Sequence, residues 1–583
     1  MLKIKQKIDH FNKILFLLSP APKTKIIFLI FLMFISLVLE IFGLSIIIPM
    51  ITIFSDFDNI NKNSFFYKIL TNIGGTEQNE LIFFSIIFLL IFFFIKSLFV
   101  GYVLFKQLEF TFDTQKKLSS RLFDNYLKLP YEKFIELNTS ILIKNITKET
   151  QLFALNCIQP FLYIFSQSLI FFGITVIIII IEPIGATISF IALCIPGVFF
   201  YFFSKNKILE WGKSRMLHDE NRFQFIQEGL GALKIIKIFN KENFFLKKYE
   251  LSNFGSAKQD MRVRFVDQLP RLLLEFFAIL GFCILFLLLI YQNIDEKKIL
   301  PILGLFAFGI FRIIPSLNKI LSQITNLKFS EEVVDVLYKE LKNYKKDDIN
   351  IEEKKFLINN INNKIEFKNV DFVYPHSEKI IFKDLNIKIS KGEKIGIIGS
   401  SGIGKSTFLD LLLGVIKPQK GEILYDGKNI KNLNLNYKKI LGYVPQSIFL
   451  IDGSIKENIA FGIQNDEINL ENLEQSVKRS AIENYIKSLP NGLNTNVGER
   501  GIKLSGGQIQ RIGLSRAMYL NPEMIILDEA TSALDRETEE KIMDTIFNLN
   551  KDKTIIIVTH KLDTIKECDK IYKIEDCTLN KID

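Results

Sequence analysis

The sequence predicts a membrane domain of six transmembrane α-helices followed by an α/β P-loop nucleotide-binding domain. The 583-residue chain is 48% hydrophobic with a mean hydropathy of +0.23, yet 23% of its residues are charged. Long Phe/Ile/Leu runs stop near Phe329, and a soluble α/β pattern begins after about Lys345. In that second half, Gly399–Ser406 fits G-x-x-x-x-G-K-[ST], the pattern of a phosphate-binding loop.

Six apolar segments reach the roughly 20 residues that a helix needs to cross a bilayer. They are Ile26–Phe54, Leu81–Phe105, Ile158–Ile181, Ile184–Phe203, Leu272–Tyr291 and Ile299–Ile320. The long polar connections after the second and fourth spans, Lys106–Asn156 and Ser204–Arg271, have the pattern of helices. These connections therefore predict helices that continue beyond the membrane.

The composition changes predict four regions. We expect an amphipathic N-terminal segment over 1–25, a transmembrane domain over 26–329, a linker over 330–364 and the nucleotide-binding domain over 365–583. The turn-rich stretch Lys342–Asp348 marks the linker.

The distribution of lysine predicts the orientation in the membrane. The N-terminal segment is basic, and so are both long connections, whereas Ser55–Glu80 has only Lys62 and Lys68. Basic loops stay in the cytoplasm, so a multi-pass membrane protein with both termini in the cytoplasm is expected. The net charge of +10 is interpreted as this bias and not as nucleic-acid binding. Pro20-Ala21-Pro22 interrupts the first apolar run, so no cleavable signal peptide is expected.

The phosphate-binding loop lies where its chemistry requires it. The strand-like run Lys394–Ile398 precedes it and a helical pattern follows. Backbone N–H groups and the helix N-terminus bind phosphate oxygens, Lys405 would reach the terminal phosphates of ATP, and Ser406 would ligate Mg²⁺. The predicted nucleotide-binding residues of this loop are Gly399, Ser400, Ser401, Gly402, Ile403, Gly404, Lys405, Ser406 and Thr407.

Further candidate residues for nucleotide binding and hydrolysis lie at the ends of apolar strands or shortly after them. Asp528 would hold Mg²⁺ and Glu529 would polarise the attacking water. His560 could contact the terminal phosphate, although a lone histidine is usually structural, and Gln446 could reach the metal or the water. Tyr374 either stacks on adenine or is an aromatic at a strand edge.

The string Leu504-Ser505-Gly506-Gly507-Gln508 precedes Asp528 by twenty residues, and Ser532-Ala533-Leu534-Asp535 follows. With these motifs, the half from about Ile365 onward resembles the nucleotide-binding domain of ABC transporters. The resemblance implies a head-to-tail dimer in which Ser505, Gly507 and Gln508 of one copy cap ATP bound by the other. One such domain per chain implies a homodimer, and Lys561 stands where relatives commonly have Arg.

Six spans followed by one nucleotide-binding domain resemble the exporter type of ABC transporter. That resemblance implies ATP hydrolysis coupled to transport. It also implies that parts of the long connections contact the nucleotide-binding half, for which we predict Ile141–Glu149 and Glu228–Asn240.

Cations within or beside the spans suggest what is moved. They are Lys96, Arg271, Arg312 and Lys319. A cation at the bilayer centre costs roughly 2.5–3.5 kcal/mol on insertion scales, so some should face a watery cavity and bind an anionic cargo. The alternative is that they snorkel, or that Glu40 and Glu275 neutralise them.

Tyr131–Phe134, Leu269–Glu275 and Phe311–Ile320 resemble the bacterial flippases of lipid-linked oligosaccharides used in protein N-glycosylation. The resemblance implies a polyprenyl pyrophosphate glycan as substrate, and a short external helix for which Asn63–Leu70 is the candidate. Exporters of lipid A-type lipids, peptides or drugs remain alternatives, as does an ATP-gated channel. Six spans exclude a soluble ABC ATPase.

Overall fold

The computed structural model describes residues 2–19, 22–55, 78–181, 183–291, 296–348, 363–375, 377–430, 440–531, 534–548 and 553–582. These residues form two compact units. The membrane unit comprises Met1–Leu129 and Leu137–Asp347, and the nucleotide unit comprises Pro130–Glu136 and Asp348–Asp583. The predicted external helix Asn63–Leu70 lies outside the described residues.

The membrane unit is helical throughout. Its helices are α1 (Leu2–Leu18), α2 (Lys23–Ser55), α3 (Gln78–Leu127), α5 (Thr139–Lys144), α6 (Thr150–Phe153), α7 (Gln159–Ile181), α8 (Pro183–Gly231), α9 (Leu233–Ile238), α10 (Glu242–Tyr291), α11 (Glu296–Phe329) and α12 (Glu331–Asp348), with α4 (Tyr131–Phe134) in the nucleotide unit. Two π-helical turns, Asn145–Glu149 and Ala154–Ile158, connect α5, α6 and α7.

Five continuous helical segments of the described chain, one of which contains the two π-helical turns, are long and apolar enough to cross a membrane. These segments are Lys23–Gly43, Asn79–Leu127, Thr139–Ile180, Phe190–Gly231 and Glu242–Tyr291. The sixth predicted span lies on α11, whose first side chains are outside the description. Helix α3 has 50 residues, about 75 Å at 1.5 Å per residue. This length exceeds a bilayer core of about 30 Å, so the polar connections continue the spans as helices, as predicted.

The core of the membrane unit forms where α7, α10 and α11 meet. Ile174, Leu274 and Phe306 are fully buried there. Elsewhere α8 approaches the end of α11 through Gly212, where a Cβ atom would lie 2.1 Å from the carbonyl oxygen of Phe329. A larger residue would therefore push these two helices apart.

The expectation of turns over Lys342–Asp348 is wrong, because these residues are the last turns of α12, although the boundary between the two units falls at Asp347–Asp348. Val333, Val334, Leu337 and Leu341 form a buried apolar face along this helix. That spacing is helical. Packing of the apolar face therefore outweighs the turn preference of the polar residues beyond it.

The segment Ile141–Glu149 belongs to the membrane unit, and its contact with the nucleotide-binding half stays a prediction. Lys144 and Glu149 are buried within it, and Lys148 pairs with Asp219 of α8 at 2.6 Å. The part of this connection that belongs to the nucleotide unit is Pro130–Glu136, in which the Glu132 carboxylate accepts a hydrogen bond from the backbone N–H of Lys417 at 2.5 Å. Paired charges therefore stabilise Ile141–Glu149 within the membrane unit.

The nucleotide unit contains two sheets within the described residues. The strands are β1 (Lys364–Val373), β2 (Ile380–Ser390), β3 (Lys394–Ile398), β4 (Lys420–Tyr425), β5 (Lys428–Asn429), β6 (Leu441–Val444), β7 (Met524–Asp528), β8 (Thr554–Val558), β9 (Lys570–Glu575) and β10 (Thr578–Ile582). A four-stranded antiparallel sheet has the order β2-β1-β4-β5, and a six-stranded sheet has the order β10-β9-β3-β8-β7-β6. All strand pairs of the larger sheet are parallel except β9–β10.

Helices pack around these sheets. They are α13 (Lys405–Leu412), α14 (Ile455–Ile459), α15 (Leu470–Arg479), α16 (Glu483–Ser488), α17 (Gly506–Tyr519) and α18 (Arg536–Phe547). Strands β7 and β8 are buried at every residue, as expected for central strands of a parallel sheet covered on both faces. The larger sheet is therefore a rigid base for residues that follow its strands.

Candidate nucleotide-binding site and membrane cavities

The nucleotide site forms at one edge of the larger sheet. Strands β3, β6, β7 and β8 run in the same direction, so the residues after their carboxyl ends meet at that edge, where ligands bind in open α/β sheets. The phosphate loop follows β3, Gln446 follows β6, Asp528 ends β7, and His560 follows β8. The parallel register, with Asp528 opposite Val558, places these ends side by side.

The phosphate loop has the predicted strand, loop and helix. Gly402 and Gly404 have φ angles of +77° and +122°, a region that L side chains rarely adopt. Lys405, the first residue of α13, donates from Nζ to the carbonyl oxygen of Gly399 at 2.9 Å. Ser400, Ser401 and Ile403 complete the loop. The arrangement can bind phosphate oxygens.

Ser406 and Asp528 lie together below the loop. The Ser406 hydroxyl donates to Asp528 Oδ2 at 3.4 Å. Burial, together with the neighbouring charge of Glu529, raises the pKa of Asp528. With the amide oxygen of Gln446, these side chains offer hard oxygen ligands of the kind that Mg²⁺ prefers. The donor set therefore fits the expected metal.

Glu529 lies close to three other candidate residues, Gln446, Lys405 and His560. Its Oε2 accepts a hydrogen bond from Gln446 Nε2 at 2.8 Å. Its Oε1 lies 3.4 Å from Lys405 Nζ and 3.8 Å from His560 Nδ1. Glu529 has a left-handed φ of +49°, which is uncommon for a residue other than glycine. Sequence reasoning placed these four residues in one site, and the structure brings them together.

Tyr374 follows β1 and its hydroxyl shares a hydrogen bond of 3.1 Å with Thr407 of α13. Its ring meets Phe372 edge-on, with centroids 5.0 Å apart. Burial raises the pKa of the Tyr374 hydroxyl. The tyrosine is thus held beside the phosphate loop, and its stacking on adenine remains a prediction.

Ser505 caps the N-terminus of α17. The Ser505 hydroxyl accepts from the backbone N–H of Gln508, and the Gln508 side chain accepts from the backbone N–H of Ser505 at 2.8 Å. Gly507 lies in the first turn of the helix. This capping box presents the helix N-terminus, which favours anions. Ser532 and Ala533 lie outside the described residues.

Two of the predicted substrate residues line a cavity in the membrane unit. Arg312 and Lys319 lie on one face of α11, and the cavity beside them has a volume of about 390 Å³. Lys319 Nζ also lies 4.7 Å from the ring centroid of Tyr163. The other lining residues are Met33, Ser36, Val100, Val103, Leu104, Gln107, Tyr163, Ser166, Gln167, Ile170, Pro315 and Ser316.

Each of the other two predicted cations has an acidic partner. Lys96 is buried and its Nζ lies 3.0 Å from Glu40 Oε2. The same oxygen accepts a hydrogen bond from Arg312 at 2.9 Å. Arg271 pairs with Glu275 at 2.9 Å. In the structure Glu40 pairs with Lys96 and Glu275 pairs with Arg271, as in the alternative derived from the sequence. Lys96 does not line the cavity of Arg312 and Lys319.

Sequence reasoning missed several polar residues of this cavity. Gln107, Ser166 and Gln167 lie in or beside apolar spans, and Tyr163 stands opposite Lys319. Polar side chains within spans are a functional signal in themselves. A prediction from charged residues alone therefore does not include them.

The chain matches two family models. The model of the ABC transporter family matches residues 382–532, and that of the ABC transporter transmembrane region matches residues 26–313. Among curated relatives, the ATP-dependent lipid A-core flippase of Wigglesworthia glossinidia brevipalpis is 30% identical over 488 residues, which are 83% of this chain and 81% of that protein.

Other curated relatives match a shorter segment of this chain. ABC transporter B family member 13 of Arabidopsis thaliana is 41% identical over 220 residues, which are 38% of this chain and 18% of that protein. The ATP-dependent permease MDL1 of Candida albicans is 44% identical over 219 residues, which are 37% of this chain and 32% of that protein. The match thus spans less than a third of the plant and fungal proteins.

Among solved structures, a bacterial Atm1-family ABC exporter with ATP bound has a TM-score of 0.78 and 22% identity, covering 96% of this chain and 95% of that chain. This similarity shows that the chain has the exporter fold.

Proposed function

Because the chain belongs to the ABC transporter family, we propose that it is an exporter-type half-transporter that couples ATP hydrolysis to the movement of an anionic lipid across a membrane. The observation that carries the hydrolytic part is the position of Glu529. Its carboxylate contacts Gln446 and lies within 4 Å of Lys405 and His560. A carboxylate among these groups can orient the attacking water.

Each residue of the site has its own role in ATP hydrolysis. Lys405 and the loop N–H groups bind the phosphates, and Glu529 accepts a proton from the water. His560 contacts the terminal phosphate. Ser406, Asp528 and Gln446 would hold Mg²⁺, which neutralises phosphate charge when bound.

The functional unit is a homodimer in this proposal. Ser505, Gly507 and Gln508 present a capped helix N-terminus, and their hydrogen bonds in the described chain do not involve Lys405 or Glu529. A second copy would place its capped helix on the ATP bound by the first. One chain thus supplies half of each of two sites.

The proposed substrate is a lipid-linked oligosaccharide with a pyrophosphate. Arg312 and Lys319 line one cavity, and Glu40 supplies a single negative charge between Lys96 and Arg312. The cluster therefore keeps a net positive charge, which attracts phosphate strongly where water is scarce. The protein would work in the bacterial inner membrane with both termini in the cytoplasm.

A lipid A-type lipid is the second candidate substrate. It is favoured by the similarity of most of the chain to a lipid A-core flippase. Both candidates combine apolar chains with a phosphorylated sugar headgroup. They differ in where the phosphate lies, because lipid A carries its phosphates on the sugars and a polyprenyl glycan carries them between lipid and sugar.

Reconstituted vesicles containing fluorescent lipid-linked oligosaccharide or fluorescent lipid A test this proposal. The parent protein should flip the first lipid with ATP, and the Arg312→Gln/Lys319→Gln variant should flip it at least about tenfold more slowly, because charge-assisted hydrogen bonds contribute about 1.5–3 kcal/mol. Lys207→Gln, at an exposed lysine of α8, is the matched control.

Thermal unfolding in detergent shows whether each variant is folded. Unchanged flipping by a folded double variant would discard the basic cavity as the binding site. Transport of lipid A alone would replace the first candidate with the second.

A further inference from the structure

A second cavity of about 640 Å³ lies between α10 and α11. Asp267 and Arg271 line it from α10, and Asn318 and Ser322 line it from α11. Phe311 and Pro315 form an apolar part of its wall. This volume is within the range of about 300–1,000 Å³ that is usual for ligand pockets.

Two acceptor atoms on residues that line this cavity lack partners among the described residues. Oδ1 of Asp267 and Oδ1 of Asn318 are buried, and neither accepts a hydrogen bond within the described chain. A buried acceptor without a donor destabilises the protein. Both side chains are only partly buried, so rotation about their last bond brings these enclosed oxygens to a ligand that carries donors. Hydroxyl groups are such donors.

The rest of the lining fits the same kind of ligand. Arg271 and Glu275 pair with each other, and their side chains are 63% and 47% exposed, so both can still reach a ligand. Between them they supply donors and acceptors, whereas Phe311 and Pro315 supply apolar surface. A sugar has hydroxyls that donate and accept and C–H faces that pack on apolar groups.

Lys319 and Pro315 line both this cavity and the one beside Arg312. A phosphate at Lys319 would therefore have one cavity on each side. Met33, Val103 and Ile170 make part of the first cavity apolar. Besides Lys319, the polar lining of the second consists of two acids, two amides, a hydroxyl and Arg271.

We propose that the cavity of Asp267 and Asn318 is the subsite for the sugars of the lipid-linked substrate, with the phosphate at Lys319 and Arg312. This inference rests on the proposed function. The protein then recognises two parts of the substrate. Arg312 and Lys319 bind the phosphate, and the acceptors of Asp267 and Asn318 bind sugar hydroxyls.

The test compares two lipids with the same polyprenyl pyrophosphate, one carrying the oligosaccharide and one without sugar. The ratio of their flipping rates in vesicles should fall about tenfold in Asp267→Ala/Asn318→Ala, because two hydrogen bonds to sugar are lost. Glu250→Ala, at an exposed acid of α10 outside both cavities, should keep the parent's ratio.

A ratio that stays at the parent value overturns the sugar subsite. A parent protein that flips neither lipid overturns the proposed function and the subsite with it. Should the alanine variant fail to fold, Asp267→Asn and Asn318→Ser provide the same comparison with smaller changes of shape.

A second and independent inference concerns Glu539 of α18. Its carboxylate accepts hydrogen bonds from Thr531 at 2.7 Å, Lys561 at 2.8 Å and Thr564 at 3.0 Å. The side chain is only 12% exposed. These hydrogen bonds lower the pKa of Glu539 although burial opposes them, so the ionised form is the one that binds its three partners.

The partners of Glu539 lie next to the hydrolytic residues. Thr531 is two residues after Glu529, and Lys561 directly follows His560. The backbone of Glu529 is in the left-handed region, and its N–H donates to the carbonyl oxygen of Val558 at 2.9 Å. Such a conformation persists only where surrounding contacts hold it.

We propose that Glu539 is a positioning residue that holds Glu529 and His560 in register with each other. Its carboxylate connects the segment after β7 with the segment after β8. It does not contact ATP in this role. Loss of Glu539 should therefore affect the chemical step more than nucleotide binding.

Steady-state ATP hydrolysis by the full-length protein in vesicles tests this role. In Glu539→Ala, kcat should fall about tenfold or more while KM for ATP changes much less, as expected when transition-state geometry is lost. Glu540→Ala, at the neighbouring exposed acid that pairs with Arg536, should match the parent. The exchanged pair Glu539→Lys/Lys561→Glu should recover part of the loss.

A structural role alone would lower thermal stability without separating kcat from KM in the folded fraction. A kcat for Glu539→Ala within twofold of the parent, in folded protein, would overturn the proposal. If Glu539→Ala does not fold, Glu539→Gln provides the same measurement, because it keeps the shape and removes the charge.

Discussion

Both units of the protein place one carboxylate among several polar or cationic groups, yet the two arrangements differ in exposure. Glu529 lies beside Lys405, Gln446 and a histidine whose side chain is 60% exposed. Glu40 is 2% exposed and pairs with Lys96 and Arg312. At the sheet edge, water or a ligand can replace a partner. Among the helices, removal of a partner leaves a buried charge, so pairing there is a condition of folding.

The largest effect is expected at the nucleotide site. Glu529→Gln should reduce ATP hydrolysis by about 10²–10⁴-fold, the usual contribution of a general base, while ATP still binds because Lys405 and the phosphate loop are intact. Hydrolysis and nucleotide binding are measured on the same reconstituted sample. Glu537→Gln, at an exposed acid of α18, is the control. Hydrolysis at the parent rate would refute the role of Glu529.

The comparison predicts a large stability difference between two acids of the membrane unit. Glu40→Gln leaves Lys96 and Arg312 without their counter-charge and should destabilise the protein by about 3–5 kcal/mol. Glu275→Gln removes an exposed partner of Arg271 and should cost about 0–1 kcal/mol. Thermal unfolding in one detergent measures both. Equal melting temperatures would show that burial of Glu40 does not decide its importance.

A smaller effect depends on pH in the nucleotide unit. Burial and the nearby Asp528 raise the pKa of Asp410 from 3.8 to about 6. The folded state then binds more protons than the unfolded state between these values, so this group's contribution becomes less favourable as pH rises from about 4 to about 6. Asp410→Asn should therefore gain stability relative to the parent above pH 6.

Melting temperatures of parent and Asp410→Asn between pH 4 and pH 8 check this prediction. Asp466→Asn, at an exposed position, should show no such trend. A difference between Asp410→Asn and the parent that does not change with pH would contradict the assignment.

The smallest expected effect concerns assembly. Heterodimers of a Lys405→Ala chain with a Ser505→Arg chain keep at most one intact composite site. They should hydrolyse ATP at no more than about half the parent rate, since each site needs Lys405 from one chain and Ser505 from the other. Differently tagged chains allow purification of the mixed dimer. Full activity of isolated monomers would contradict the composite site.

Much of the nucleotide unit could be predicted because its signals are local. Lys394–Ile398 is the predicted strand, and a helix follows the phosphate loop as expected. The apolar runs before Asp528 and His560 are buried strands. The secondary structure of the linker was harder to predict, because the polar residues Lys342–Asp348 indicate turns when they are considered without the rest of α12. They are helical because an apolar face earlier in α12 is buried.

The sequence by itself determined which segments are helices in the membrane, which loop can bind phosphate and which acids follow the strands. Each of these depends on hydrophobic run length or on residues next to one another in the chain. Only the tertiary structure decided that Glu40 pairs with Arg312, which is 272 positions away, and that Glu132 belongs with Lys417. Such contacts depend on how distant helices and loops pack, and no local pattern encodes which partner a buried charge will meet.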